Sequence, residues 1–180
     1  MSYIPRVAEA TLHKYLKAFP VVGITAPRQS GKSTLLTHAL PHYTYVTFDD
    51  PSHVAAFTFD PKGFLQQFGT RVIFDEVQYV PEIFNYIKIA VDTHRNLYGN
   101  FVLTGSSQFS AIKKISESLA GRIGLFSLLP LQYSELPHSL QDASIYKGAY
   151  PELVERAYEN SDLWYAAYID TYLNKDVRML

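Results

Sequence analysis

The sequence predicts an α/β fold: a mostly parallel five-stranded sheet with helices on both faces, followed by a C-terminal helical extension. Three observations carry this expectation. Short runs of apolar and β-branched residues alternate with segments whose apolar residues recur at helical spacing, the layout of a sheet covered on both sides. A Gly31-Lys32-Ser33 step stands between the first strand and the helix after it. An acidic pair, Asp75-Glu76, ends the third strand, at the edge where ligands gather in open α/β sheets.

In chain order, residues 7–19 place Ala8, Leu12, Tyr15, Leu16 and Phe19 on one helical stripe, which Pro20 ends. Residues 21–24 form the first strand. Leu35, Leu36 and Ala39 are the buried side of a short helix stopped by Pro41. Residues 43–48 read as a second strand, with Asp49-Asp50-Pro51 as its closing turn and a cap for the next helix. Residues 64–68 are helical with Gly69 as terminator, and 71–74 make the third strand. Pro81 and Glu82 open a helix whose face is Ile83, Ile87, Ala90 and Val91 and which ends near Gly99. Residues 101–104 form the fourth strand, with Gly105-Ser106-Ser107 as its turn. Ile112, Ile115 and Leu119 mark another helix capped by Gly121, and 123–131 read as the fifth strand. Beyond Leu136, residues 152–158 and 163–173 read as tyrosine-rich helices with no strand after them. The expected division is an α/β domain at 1–136, opened by an N-terminal helix at 1–19, and a helical extension at 137–180.

Composition narrows the function classes. With 180 residues, 47% of them hydrophobic, the chain can bury the core of one domain. Sixteen basic residues oppose seventeen acidic ones and no long basic run occurs, so neither nucleic acid nor a membrane surface has electrostatic support as a partner. The absence of cysteine removes disulfides, thiolate metal sites and thiol nucleophiles, and fits a reducing compartment. No apolar run reaches membrane-spanning length and no signal-peptide layout opens the chain, so a soluble cytoplasmic protein is expected. The histidines form no zinc-type spacing. The late tyrosines lack accompanying basic residues, which favours packing over a stacking platform for single strands.

The chemistry concentrates at residues Ala26, Pro27, Arg28, Gln29, Ser30, Gly31, Lys32, Ser33 and Thr34. A strand, a small-residue loop and a helix in that order curl backbone N–H groups around phosphates and aim a helix N-terminus at them. Lys32 reaches the β- and γ-phosphates, and the Ser33 hydroxyl is placed to ligate Mg²⁺. Ala26 departs from the glycine usual at the first position, and alanine tolerates positive φ less well. Asp75 suits holding hydrated Mg²⁺ opposite Ser33, and Glu76 suits orienting and deprotonating a water. Ser106 offers a neutral side chain to the γ-phosphate or that water, with Ser107 as a helix cap. Arg122 is either a surface arginine opening a strand or a charge-stabilising group, supplied in cis or from a neighbouring subunit.

These pieces occur together with Tyr3-Ile4-Pro5-Arg6, Phe74-Asp75-Glu76-Val77-Gln78, Ser118-Leu119-Ala120-Gly121-Arg122 and Gly148-Ala149-Tyr150-Pro151-Glu152. The combination resembles a family of prokaryotic AAA-type P-loop ATPases that joins an N-terminal ATPase domain to a C-terminal domain of unknown function. The resemblance runs from Tyr3 to the end, including residues 172–178. It implies a three-layer P-loop sandwich with strand order 5-1-4-3-2, ATP as nucleotide and Mg²⁺ as cofactor. It makes Lys32 and Ser33 Walker A residues, Asp75 and Glu76 the Walker B pair, Ser106 the sensor, and Arg122 a finger or sensor arginine. A homo-oligomer, or a partner protein supplying an arginine, is compatible with it. Ala26 and Ala149 depart from family glycines, and the chain stops where family members continue, so the extension is expected to be the start of a truncated region.

The leading expectation is Mg²⁺-dependent ATP hydrolysis coupled to a conformational task. The alternative is a nucleotide-dependent switch or interaction module that binds ATP with little turnover. A small-molecule kinase shares the loop, but the Asp-Glu pair suits water activation. Asn174-Lys175-Asp176 is similar to a GTPase base-reading motif, yet its aspartate comes one residue early and no strand precedes it, which disfavours guanine.

Overall fold

A computed structural model describes residues 3–106 and 118–172. Its core is a five-stranded sheet in which all neighbouring strands are parallel: β1 (Val21–Ala26), β2 (Thr44–Thr47), β3 (Val72–Asp75), β4 (Phe101–Ser106) and β5 (Ile123–Ser127). The spatial order β2-β3-β4-β1-β5 is the expected 5-1-4-3-2 read from the other edge. Because every strand runs the same way, their C-terminal ends share one edge.

Residue alternation along the strands sorts the core into two layers. Val21, Val72, Phe74, Phe101 and Leu103 pack towards α3 (Pro51–Phe59), α4 (Pro61–Phe68) and α5 (Ile83–Thr93). There Phe48, Phe57, Phe64, Phe68 and Phe74 form an aromatic cluster with ring centroids 5.1–6.3 Å apart. Val22, Ile24, Ile73 and Val102 pack the other way, against Leu12 of α1 (Ala8–Ala18) and Leu35 and Leu36 of α2 (Lys32–Ala39). Asp50 caps α3 by accepting from the Ser52 N–H at 2.8 Å.

Among the differences from expectation, two strand or helix ends and one whole helix stand out. Helix α5 stops at Thr93, well before Gly99: His94 leaves helical geometry at φ −132° and ψ 60°, and the chain then turns until the Gly99 and Asn100 amides bond the carbonyls of Phe19 and Pro20. Strand β5 ends at Ser127, and Pro130, lacking an N–H, cannot continue a ladder. A helix α6 (His138–Lys147) was not foreseen; none of its residues is buried, so the segment HSLQDASIYK carries no apolar stripe to read. Two further helices follow, α7 (Pro151–Glu155) and α8 (Ser161–Tyr168), with π-helical turns through 172. They share a third core of Leu131, Leu136, Leu153, Val154 and Tyr158, against which Ile4 also packs. The helix expected around Ile112 and Ile115, the Ser107 cap and the Asn174-Lys175-Asp176 segment lie outside the described residues.

Candidate nucleotide site

The C-terminal edge of the sheet brings the loop after β1 beside the acidic end of β3. Thr47 of β2 is in register with Asp75, and Ala26 with Ser106. Within the loop, Gln29 and Gly31 have φ of 62° and 88°, whereas Ala26 is an ordinary buried strand residue. The glycine missing at the first motif position is therefore not needed for backbone freedom. Gly31 is: besides its φ, a Cβ there would lie 3.3 Å from Arg6 Nη1 and 3.4 Å from Pro151 Cγ.

Lys32 opens α2 and is buried, with Nζ 2.9 Å from Asp75 Oδ1 and 2.7 Å from Glu76 Oε1. Thr104, fully buried on β4, donates to Asp75 Oδ1, and the Tyr45 phenol donates to Oδ2 at 2.6 Å. Burial alone would raise the Asp75 pKa, but the Lys32 charge and the hydrogen bonds from Thr104, Tyr45 and Lys32 outweigh it and hold the carboxyl below its usual range. Glu76 sits at φ 57°, a left-handed conformation seldom adopted without reason, and its Oε2 accepts from the Gln78 amide. Asp49 borders the loop with Glu76; burial, then the charges of Glu76 and Asp75, push its pKa up.

Sequence reading named Lys32, Ser33, Asp75 and Glu76, and these converge. Thr104, part of the stretch 104–107 where a neutral hydrogen-bonding side chain is expected, joins them, while Tyr45, Gln78 and Asp49 complete the cluster without having been assigned a role there. Ser106 closes β4 beside Ala26, but its side chain lies outside the described residues. Arg122 does not join. Its backbone carbonyl accepts from Val21 N–H at the start of β1, so the strand separates it from the loop by roughly 17 Å at the usual rise per residue. Its guanidinium is spent on Asp92 through bonds of 2.7 and 3.1 Å.

The donor set fits a hydrated Mg²⁺ brought with phosphates. The Ser33 hydroxyl interacts with the same Tyr45 phenol that donates to Asp75, so the two hard-oxygen groups share one neighbour. Among the described residues no three His, Cys, Asp or Glu side chains form a metal-binding group, so phosphate oxygens would have to complete the shell. Ser30 Oγ, in the loop, is buried with no protein partner, an orphan that a phosphate oxygen would satisfy.

Two cavities meet here. One of about 260 Å³ is bounded by residues 27–34, Asp49, Glu76 and Tyr79. The second, about 580 Å³, shares Gly31 and Thr34 with it and is walled by Ile4, Leu131, Leu140 and Val154. Tyr3 and His38 stack at its side, centroids 4.1 Å apart and 9° from parallel.

A family model described as an AAA domain matches residues 18–137, more than half of the chain. Two uncharacterized mycobacterial proteins, Mb2031c of Mycobacterium bovis and Rv2008c of Mycobacterium tuberculosis, are each 33% identical over 177 residues. That match covers 97% of this chain but only 40% of either relative, so the chain spans about two-fifths of their length. Among solved structures, the Walker-type ATPase PABY2304 of Pyrococcus abyssi is similar in fold, with a TM-score of 0.52 at 19% identity, covering 79% of this chain and 59% of that one. The chain belongs to the AAA-domain family of P-loop ATPases.

Proposed function

We propose that this chain binds ATP together with Mg²⁺ and hydrolyses it to ADP and phosphate. The observation that carries the reading is Lys32, buried at the mouth of the loop and shared between Asp75 and Glu76. The triphosphate takes the smaller cavity, with its phosphates on the loop amides and Lys32. The base and ribose take the larger one, which is mostly apolar and of ordinary ligand size. Ser33 and Asp75 hold the ion, which when bound offsets charge on the phosphoryl oxygens. As Lys32 turns to the phosphates, Glu76 Oε1 loses its partner and becomes free to take a proton from the attacking water.

A second reading has its own observation. Both Glu76 oxygens are occupied in the free chain, one by Lys32 and one by Gln78, which suits a module that holds ATP and rarely hydrolyses it. Calorimetric titration with ATP, followed by steady-state phosphate release across protein concentrations, separates the two. Micromolar binding with turnover supports hydrolysis, and binding without turnover at every concentration supports the switch. No measurable binding with or without Mg²⁺ would remove both.

A further inference from the structure

Two side chains from opposite ends of the chain grip the phosphate loop from outside. Arg6 Nη1 donates to the Ser30 carbonyl at 3.0 Å, and the Tyr168 phenol donates to the Arg28 carbonyl at 3.3 Å. In a trans peptide the carbonyl and the next N–H point in opposite directions, and no described peptide is cis. A carbonyl fixed on the outside therefore turns the following amide to the other side. Arg6 in this way aims the Gly31 N–H, and Tyr168 aims the Gln29 N–H. These are the two loop residues with positive φ, the conformation from which anion-binding nests are built.

We infer that Arg6 and Tyr168 are positioning residues, which orient the Gln29 and Gly31 amides for phosphate before any nucleotide arrives. Arg6 is not available as a ligand. Its Nε is bound to Glu135 Oε2 at 3.0 Å, and its Nη2 to the carbonyls of Leu129 and Pro130 at 2.7 and 3.1 Å. Glu135 is held in turn by the amides of Val7 and Gln132. Tyr168 belongs to a ring ladder: it stacks on Trp164 with centroids 5.0 Å apart, meets Tyr172 at 5.1 Å, and its hydroxyl accepts from Tyr150. The Arg28 guanidinium lies 5.7 Å from the Tyr172 ring centroid. A shift of α8 would thus reach the Gln29 amide directly, which makes the extension a handle on the phosphate loop.

This inference rests on the nucleotide reading, and one titration set distinguishes them. Wild type, Arg6→Lys and Tyr168→Phe are each titrated with ATP, with inorganic tripolyphosphate and with adenosine. The ligand-free melting temperature and the fluorescence of Trp164, the chain's only tryptophan, check that the ladder is intact. The longer Tyr168 bond should cost about threefold and the buried Arg6 bond about tenfold in affinity, for ATP and tripolyphosphate alike. Adenosine binding should be unchanged, and Tyr168→Phe, which gives up the Tyr150 bond as well, should melt only slightly below wild type. Wild-type affinity for both phosphate ligands in Tyr168→Phe overturns the inference, as does a loss confined to adenosine or to ATP. If Arg6→Lys fails to fold, Tyr168→Phe decides alone. A wild type that binds neither ATP nor tripolyphosphate overturns the nucleotide reading and this inference with it.

Discussion

Replacing Glu76 by glutamine should make the chain bind ATP more tightly while slowing turnover severely. In the free chain Lys32 is held at 2.7 Å by Glu76, whose side chain is 20% exposed, and at 2.9 Å by Asp75. Binding requires Lys32 to exchange the first of these for phosphate oxygens. A hydrogen bond to a charged group is worth a net ~1.5–3 kcal/mol, and since Lys32 keeps Asp75 the lower end applies. Roughly 1.5 kcal/mol corresponds to about tenfold in Kd, and removing a negative charge beside a polyphosphate acts in the same direction. Loss of a general base should slow hydrolysis by about 10²–10⁴. Calorimetry with ATP and a phosphate-release assay on the same protein read both numbers. If Glu76→Gln instead weakens binding as much as Lys32→Ala does, Glu76 supports the loop rather than competing with the nucleotide for Lys32, and the reasoning fails.

Lys32→Ala removes the cation that keeps a buried Asp75 ionised; nucleotide binding should vanish and stability fall by about 3 kcal/mol in urea denaturation, the cost of a broken buried pair. Asp75 also sets an acid limit. Its pKa is lowered on folding, so its stabilisation is full above the ordinary value of 3.8 and disappears as pH falls through the lower folded value. Tyr45→Phe withdraws one of its hydrogen bonds, should cost about 1 kcal/mol near neutrality, and should move acid unfolding to higher pH; an unchanged acid transition would show that the phenol does not hold Asp75. Arg122→Ala should leave the ATP affinity of the chain within about twofold, since truncation far from a ligand rarely does more. A tenfold loss would mean that Arg122 reaches a nucleotide despite its place at the far end of β1.

What could be read from the chain and what could not follow a physical division. The strand–loop–helix around Gly31-Lys32-Ser33 and the apolar run into Asp75-Glu76 are local patterns, and the structure brings them together. The resemblance supplied the strand order, which local pattern alone does not fix. Tyr45 and Thr104 are different in kind. Each reads as a strand residue, and only the β2-β3-β4 adjacency puts both beside one carboxylate. Arg6 was visible as part of a motif, but its task depends on carbonyls more than a hundred residues away in sequence at Leu129 and Pro130. Arg122 divides the other way: its residue type and position after Gly121 suggested chemistry in cis or across a subunit contact, and parallel pairing with β1 puts it at the opposite end of the sheet from its own chain's loop, which bears on the first option alone.

The most direct test of convergence at this edge is a crystal structure of the chain with a non-hydrolysable ATP analogue and Mg²⁺. The account predicts phosphates on the amides of Gln29 and Gly31, Lys32 withdrawn from Glu76 onto phosphate oxygen, the ion between Ser33 and Asp75, and the base in the cavity beside Tyr3 and His38. An analogue bound elsewhere, with Lys32 still joined to both Asp75 and Glu76, would contradict it.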